Sequence, residues 1–323
     1  MMRVLVLGAG GFVGRHLVAA LAAAPDFEPV ALMRGAGGAF PPAVAQHRAD
    51  ATDPEALGQA LAGIDAVVNC IAGSEAAMTA ATRHLVALTE SGSVRRLVHL
   101  SSMAVYGSVS GTVGETSPLE GSDSPYARAK VDCEAMIAAS ATVSARWVVL
   151  RPGCIHGPGS PQWTDRIGRL LRQHRIGDLG ENGDGTCNLT FIDDMVGAIL
   201  AALRRPEAGG GTFNVSDPDP RSWNAYLTDL GRAIGAVPVA RISGRRLSAE
   251  VRLLAPALVV AGRVLDRSPV RVRLPPAVTP SMARLWRQEI TLDHRRADAV
   301  LAFARTPPAR AIAAAADWLR TSG

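Results

Sequence analysis

Residues 7–14 read Leu-Gly-Ala-Gly-Gly-Phe-Val-Gly, with Gly8, Gly11 and Gly14 three apart. They follow the short apolar run Arg3–Leu7 and open an alanine-rich stretch, Gly11–Ala24, that predicts a helix. Strand, glycine turn and helix in so short a span put the helix N-terminus, with its unpaired N–H groups and positive dipole end, at the mouth of a sheet. A diphosphate is the kind of ligand that position favours. Gly8 permits the tight turn, Gly11 lets phosphates approach the backbone, and Gly14 lets helix and strand pack closely. A glycine triplet by itself also fits an ordinary strand-to-helix turn, so the rest of the chain has to decide.

The first 155 residues alternate short β-branched runs with longer helical stretches, the pattern of a parallel sheet with crossover helices. Strands are expected at Arg3–Leu7, Glu28–Met33, Ala66–Asn69, Arg96–Leu100 and Arg146–Leu150, each apolar enough to be covered on both faces. Helices are expected at Gly11–Ala24, Pro54–Ala62, Glu75–Ser91 and Pro125–Ser140, with Asp53 as N-cap of the second. Farther on the pattern loosens into a Gly/Pro-rich loop, helices near Trp163–His174 and Asp193–Leu203, a strand at Thr212–Val215 and a mostly helical tail. The fold class is α/β: a Rossmann-type doubly wound parallel sheet with a smaller, mostly helical C-terminal lobe. The sheet domain spans 1–155, with segments such as 187–216 returning to it, and 156–323 is mainly the substrate-binding lobe.

Composition excludes several functions. The net charge of +5 is spread over 34 Lys and Arg against 29 acids, and aromatic residues are only 4%, so no basic, base-stacking surface for nucleic acid is built. Cys70, Cys133, Cys154 and Cys187 are far apart, with no C-x-x-C and no histidine at ligand spacing. Neither a disulfide framework nor a metal site is expected, and reduced thiols fit the cytoplasm. The apolar stretch Leu253–Gly262, broken by Pro256, is about half of the roughly 20 residues a membrane span needs.

Further motifs come in order. His47-Arg48-Ala49-Asp50-Ala51-Thr52-Asp53, Asn69-Cys70-Ile71-Ala72-Gly73, Ser101-Ser102-Met103-Ala104-Val105-Tyr106-Gly107, Tyr126-Ala127-Arg128-Ala129-Lys130 and Arg151-Pro152-Gly153 follow the glycine turn, with Phe191-Ile192-Asp193-Asp194 and Phe213-Asn214-Val215 beyond. Together they resemble the short-chain dehydrogenase/reductase superfamily, in its extended branch of NAD-dependent epimerases and dehydratases, with hydroxysteroid dehydrogenase-like features toward the C-terminus. The resemblance implies Ser102, Tyr126 and Lys130 as catalytic residues. It also implies a dinucleotide bound by Gly8, Gly11, Phe12, Val13, Gly14, Asp50, Ala51, Cys70, Ala72, Ser101, Tyr126, Lys130, Pro152 and Gly153. A homodimer through the helices near 75–91 and 125–140, both rich in small residues, is implied too.

The chemistry of Tyr126 and Lys130 can be argued directly. Four apart on a helix, they share one face, and an ammonium beside a phenol lowers a pKa otherwise near 10, making tyrosine a usable acid or base. Ser102 would hydrogen-bond the substrate oxygen against Tyr126, while hydride moves between the adjacent carbon and nicotinamide C4. At the end of the second strand, where an acid would bind the ribose hydroxyls of NAD, the chain has Arg34, which points to NADP with NAD as the other choice. Nucleotide-sugar epimerases tend to carry diphosphate-binding side chains where this chain has Cys154 and Cys187. The expected reaction is therefore NAD(P)-dependent oxidation or reduction at a secondary alcohol or ketone, in a cleft lined by Leu253, Leu254, Leu258, Val259 and Val260, or, if that stretch packs as a core helix, in a pocket lined elsewhere. A nucleotide-sugar epimerase or dehydratase is the alternative, and a non-catalytic dinucleotide sensor the second. His156 is read as a structural or pocket residue.

Overall fold

The computed structural model describes residues 1–35, 40–90, 94–121, 124–140, 146–265 and 274–322. Seven strands make one parallel sheet: β1 (Met2–Leu7), β2 (Phe27–Met33), β3 (Ala45–Arg48), β4 (Ala66–Asn69), β5 (Arg96–Leu100), β7 (Trp147–Pro152) and β11 (Thr212–Val215). Their order is β11-β7-β5-β4-β1-β2-β3. Leu7, the last residue of β1, pairs with Leu32 on one side and Asn69 on the other. Strand order reverses between β1 and β4, so the crossovers leave on opposite faces and open a crevice at the carboxyl ends of these two strands.

The central strands are largely apolar because both faces are covered, with Asn69, His99 and Arg151 as their buried polar exceptions. On one face α1 (Phe12–Ala23) and α6 (Ile192–Arg204) bury Leu17, Val18, Leu21, Met195 and Ile199 against Val4, Val6, Val98 and Val148. On the other, α2 (Pro54–Ala60), α3 (Glu75–Thr89) and α4 (Pro125–Ala139) bury Leu57, Ala81, Leu85 and Ile137 against Leu5, Leu7, Val67 and Leu97. Asp53 caps α2 as expected, accepting from the Glu55 and Ala56 N–H groups at 2.9 and 3.3 Å. The segment after 187 returns to the sheet through α6 and β11.

A separate cluster packs α5 (Arg166–Arg172), α7 (Trp223–Ala233) and α10 (Pro280–Leu285) around Tyr106, Trp223, Tyr226 and Trp286. Several details depart from the sequence reading. The helix expected at Trp163–His174 starts at Arg166, because Pro161–Asp165 forms a single π turn capped by Ser160. The third strand of the sheet, β3, is an edge strand with every residue exposed, hence without apolar alternation. Two- and three-residue strands had no sequence signal: β6 (Gly111–Val113), β8 (Cys154–His156), β9 (Thr186–Cys187), β10 (Leu189–Phe191), β12 (Arg221–Ser222) and β13 (Ile290–Leu292). Ser91, the expected end of α3, lies outside the described residues. Among the described residues no helix is long and apolar enough to cross a membrane.

Candidate active site

One cavity of about 1130 Å³ runs along the carboxyl ends of β1, β2, β4, β5 and β7. It exceeds the roughly 300–1,000 Å³ of ordinary small-molecule pockets, leaving room for an extended ligand and a second molecule. At its floor Gly8, with φ of +74°, turns the chain, and its carbonyl accepts from the Gly11 N–H at 2.9 Å. Gly11 occupies the N-cap position of α1 without a side-chain cap, so the first N–H groups of the helix are left for a ligand. A Cβ on Gly14 would collide with the Gly8 carbonyl. Gly14 is the one expected dinucleotide residue that does not line the cavity, because it lies beneath the turn and sets how closely helix and strand pack.

Toward the β2 end the cavity is lined by Arg34, Asp50 and Ala51. Asp50 Oδ1 accepts from the Thr52 N–H at 2.9 Å and the Thr52 hydroxyl at 2.8 Å. These bonds hold the Asp50 carboxyl below its usual range, with the charge of Arg34 adding to them. Past β4, Cys70 and Ala72 form a wall whose turn is pinned by Asn69, which accepts from the Ile71 N–H at 3.1 Å. Burial pushes the Cys70 thiol up to about 12, leaving it a neutral wall group.

Ser102, Tyr126 and Lys130 all line the cavity, as do Ser101, Pro152 and Gly153. Ser102 lies two residues past β5 and caps the following turn through the Ala104 N–H at 3.2 Å. Its side chain lies within hydrogen-bonding reach of the Tyr126 hydroxyl. Lys130 Nζ stands 5.9 Å from the centre of the Tyr126 ring and donates to the carbonyls of Leu100 at 2.5 Å and Ile71 at 3.4 Å. The expected lowering of the tyrosine pKa by the lysine is not found. The Tyr126 residue is 38% exposed, yet its phenol is desolvated enough to stand above its ordinary value, opposed by Ser102, and the full burial of Lys130 brings the ammonium down to about 8.

The sequence reading missed the scaffold under these residues. Glu134, one turn beyond Lys130 on α4, pairs with Arg151 of β7 at 2.6 Å and accepts from the Ser101 hydroxyl at 2.5 Å. Arg151 donates to the Tyr106 hydroxyl at 2.9 Å, and Tyr106 donates to Asn214 Oδ1 of β11 at 2.6 Å. Four sheet or helix elements are thus tied together directly below the site. A Glu four residues past the Lys was the signal available in the sequence.

The far end of the cavity is lined by Met103, Pro161, Gln162, Trp163, Met282, Arg284, Leu285 and Gln288. Leu253, Leu254, Leu258, Val259 and Val260 are not among them, and Leu253 and Val260 are 71% and 59% exposed. This corrects the expected apolar cleft: the helix after Leu254 packs outside the cavity, not over it. Cys154 lines the cavity and Cys187 does not, both being buried with thiols pushed up by burial. His156 lies outside the cavity, 1% exposed, edge-on to Phe191 and Tyr226. Among the described residues no cluster of His, Cys, Asp or Glu could hold a metal ion.

Residues 4–216 match the NAD dependent epimerase/dehydratase family. The chain is 28% identical to the 2-alkyl-3-oxoalkanoate reductase of Stenotrophomonas maltophilia (strain K279a) over 267 residues, 73% of this chain and 76% of the relative. It is 32% identical to a 3-diazoavenalumate denitrifying reductase of Streptomyces sp over 260 residues, 73% of this chain and 83% of the relative. In fold it is similar to the UDP-glucuronic acid 4-epimerase of Bacillus cereus in complex with NAD, with a TM-score of 0.74 at 20% identity, covering 99% of this chain and 97% of the other.

Proposed function

Because the chain belongs to the NAD dependent epimerase/dehydratase family, and so is an NAD-dependent oxidoreductase or epimerase, we propose that it reduces a ketone of largely apolar body. The observation that carries this reading is a single cavity: the glycine turn stands at one end, Ser102, Tyr126 and Lys130 in the middle, and Met103, Trp163, Met282 and Leu285 at the other. When bound, the nicotinamide supplies or accepts a hydride. Gly8, Gly11, Phe12 and Val13 would hold its diphosphate, Asp50 and Ala51 its adenosine, and Cys70, Ala72, Ser101, Pro152 and Gly153 would wall the remainder. The crowded, uncapped turn at Gly8 and Gly11 is the feature of this chain that fits such a group.

Tyr126 carries its proton at neutral pH, as a phenol with an ordinary pKa near 10 does, so it donates to the carbonyl oxygen as negative charge develops there. Ser102 donates a hydrogen bond to the same oxygen and fixes its place. Lys130, anchored on the Leu100 carbonyl, keeps a positive charge near the tyrosinate that remains and lowers its energy. Arg34 favours a 2′-phosphate, so NADP is the proposed cofactor, with NAD, the group present in the solved Bacillus cereus enzyme, as the other choice.

Arg284 supports a second reading. Its guanidinium lines the substrate end of the cavity. That charge suits a substrate carboxylate, as in the 3-oxoalkanoate of the Stenotrophomonas relative's name, and would equally suit the diphosphate of a sugar nucleotide in an epimerase. Thermal-shift titration separates the two, since a ligand of the native state raises the melting temperature. Stabilisation by hydrophobic ketones and 3-oxo acids is expected, and stabilisation by UDP-, GDP- or dTDP-sugars alone overturns the ketone reading. Tyr126→Phe should abolish turnover while cofactor affinity survives; near wild-type kcat removes Tyr126 from the mechanism. We also propose a homodimer through α3 and α4, whose outer face exposes Ala76, Arg83, Asp132 and Ala135, and a cytoplasmic location, which four free thiols support.

A further inference from the structure

Among the described residues, four of the seven exposed large apolar side chains, Leu253, Leu254, Val259 and Val260, belong to one stretch, a π turn at Glu250–Leu254 continued by α9 (Ala255–Leu265). Leu253, Pro256, Ala257 and Val260 are all exposed, and their spacing of three, four and seven residues places them on one side of a helix. Such a stripe normally faces a core. Here it faces away from the protein, next to α8 (Gly244–Ala249).

Among the described residues of Gly244–Ala261, the exposed charges have one sign. Arg245, Arg246 and Arg252 are exposed, and neither Arg245 nor Arg252 has a carboxylate partner among the described residues. The one acid of the segment, Glu250, is buried and held by Arg175 at 2.6 Å. Closing this face on a second copy of itself would bring arginines together without acids to meet them. An anionic bilayer surface satisfies both features, since acyl chains accept the leucines and valines while phosphate headgroups meet the arginines.

We propose that the Gly244–Ala261 segment is an interfacial anchor that seats the protein on an anionic membrane without crossing it. The position has a consequence for the site. α10 packs on the π turn at Glu250–Leu254, and its Ser281, Met282, Arg284 and Leu285 line the substrate end of the cavity. A membrane-seated anchor therefore places the apolar end of the cavity beside the lipid, where a poorly water-soluble substrate would collect.

The test is sedimentation of the whole chain with vesicles of phosphatidylcholine alone, and of phosphatidylcholine mixed with phosphatidylglycerol. Wild-type protein should pellet with the anionic vesicles, stay in solution with the neutral ones, and be released by high salt. Arg245→Gln with Arg252→Gln should lower the partition coefficient by about 25-fold, at about fivefold for each charge. Leu253→Ser with Val260→Ser should lower it by at least about tenfold. Both variants should keep the wild-type unfolding midpoint and turnover of a soluble ketone, because none of the four side chains lines the cavity. Wild-type protein left in the supernatant with anionic vesicles overturns the anchor. So does equal partitioning of wild type and both variants, or self-association that Leu253→Ser with Val260→Ser abolishes while no protein binds vesicles. Vesicle binding requires no turnover, so its outcome is independent of which substrate the enzyme takes.

Discussion

Replacing Glu134 by Gln should destabilise the protein by about 3–5 kcal/mol, the range for breaking a buried ion pair from one side. The side chains of Arg151 and Glu134 are only 5% and 8% exposed. The carboxylate accepts from Arg151 Nε at 3.0 and 3.2 Å, from Arg151 Nη2 at 2.6 Å and from Ser101 Oγ at 2.5 Å. Glutamine keeps an oxygen for Ser101 but turns an NH2 group toward a guanidinium, donor against donor. Arg151 then retains the Tyr106 hydroxyl and the Glu115 carbonyl, at 2.9 and 3.0 Å, but no negative charge. Arg151→Met should be costly for the complementary reason, leaving the carboxylate buried. Removing both charges in Glu134→Gln/Arg151→Met should cost clearly less than the two single losses added. Urea denaturation of the four proteins at neutral pH measures the cycle. A single-variant loss below about 1 kcal/mol, the range of solvent-exposed pairs, or strict additivity would refute the assignment of this pair as the brace below Tyr126 and Lys130.

Other expectations follow from the same geometry. Arg34→Asp should lower kcat/KM with NADP by about thirtyfold or more, roughly 2 kcal/mol for a lost charge-assisted pair, and affect NAD less; equal losses would make Arg34 structural. Burial holds His156 down to about 4 from 6.5, so in between the unfolded chain binds a proton that the folded chain refuses. The stability it contributes is complete above pH 6.5 and is lost as pH falls to about 4, in total about 3 kcal/mol. His156→Phe should shrink the difference in unfolding free energy between neutral pH and pH 4 by about that amount; an unchanged difference would rule out His156 as the cause. Ala135→Arg on the exposed α3–α4 face should convert the proposed dimer to monomer in sedimentation at micromolar concentration, and a wild-type protein already monomeric there excludes it.

What could be read from the sequence is whatever depends on neighbours along the chain. β1 and β4 declare themselves because strands covered on both faces must be largely apolar runs, Gly8 because its φ is positive, and Gly14 because a Cβ there has no room. Ser102, Tyr126 and Lys130 stand at the end of a legible strand and in the first turns of a legible helix, so their convergence follows from the fold. Spacing alone, however, does not aim a side chain. The four-residue interval allowed Lys130 to face the phenol, whereas the Leu100 carbonyl, fixed by the pairing of β5 with β7, draws its ammonium inward. The substrate end is less legible still, since Trp163 comes from a π turn and Met282 and Leu285 from a six-residue helix more than a hundred positions later. Nothing local marks such residues, because their common environment is created only when the lobe closes. The run Leu253–Val260 shows the converse limit. Apolarity states that a surface avoids water but not what covers it, and here the covering partner has to be sought outside the cavity and, on the charges around it, outside the protein.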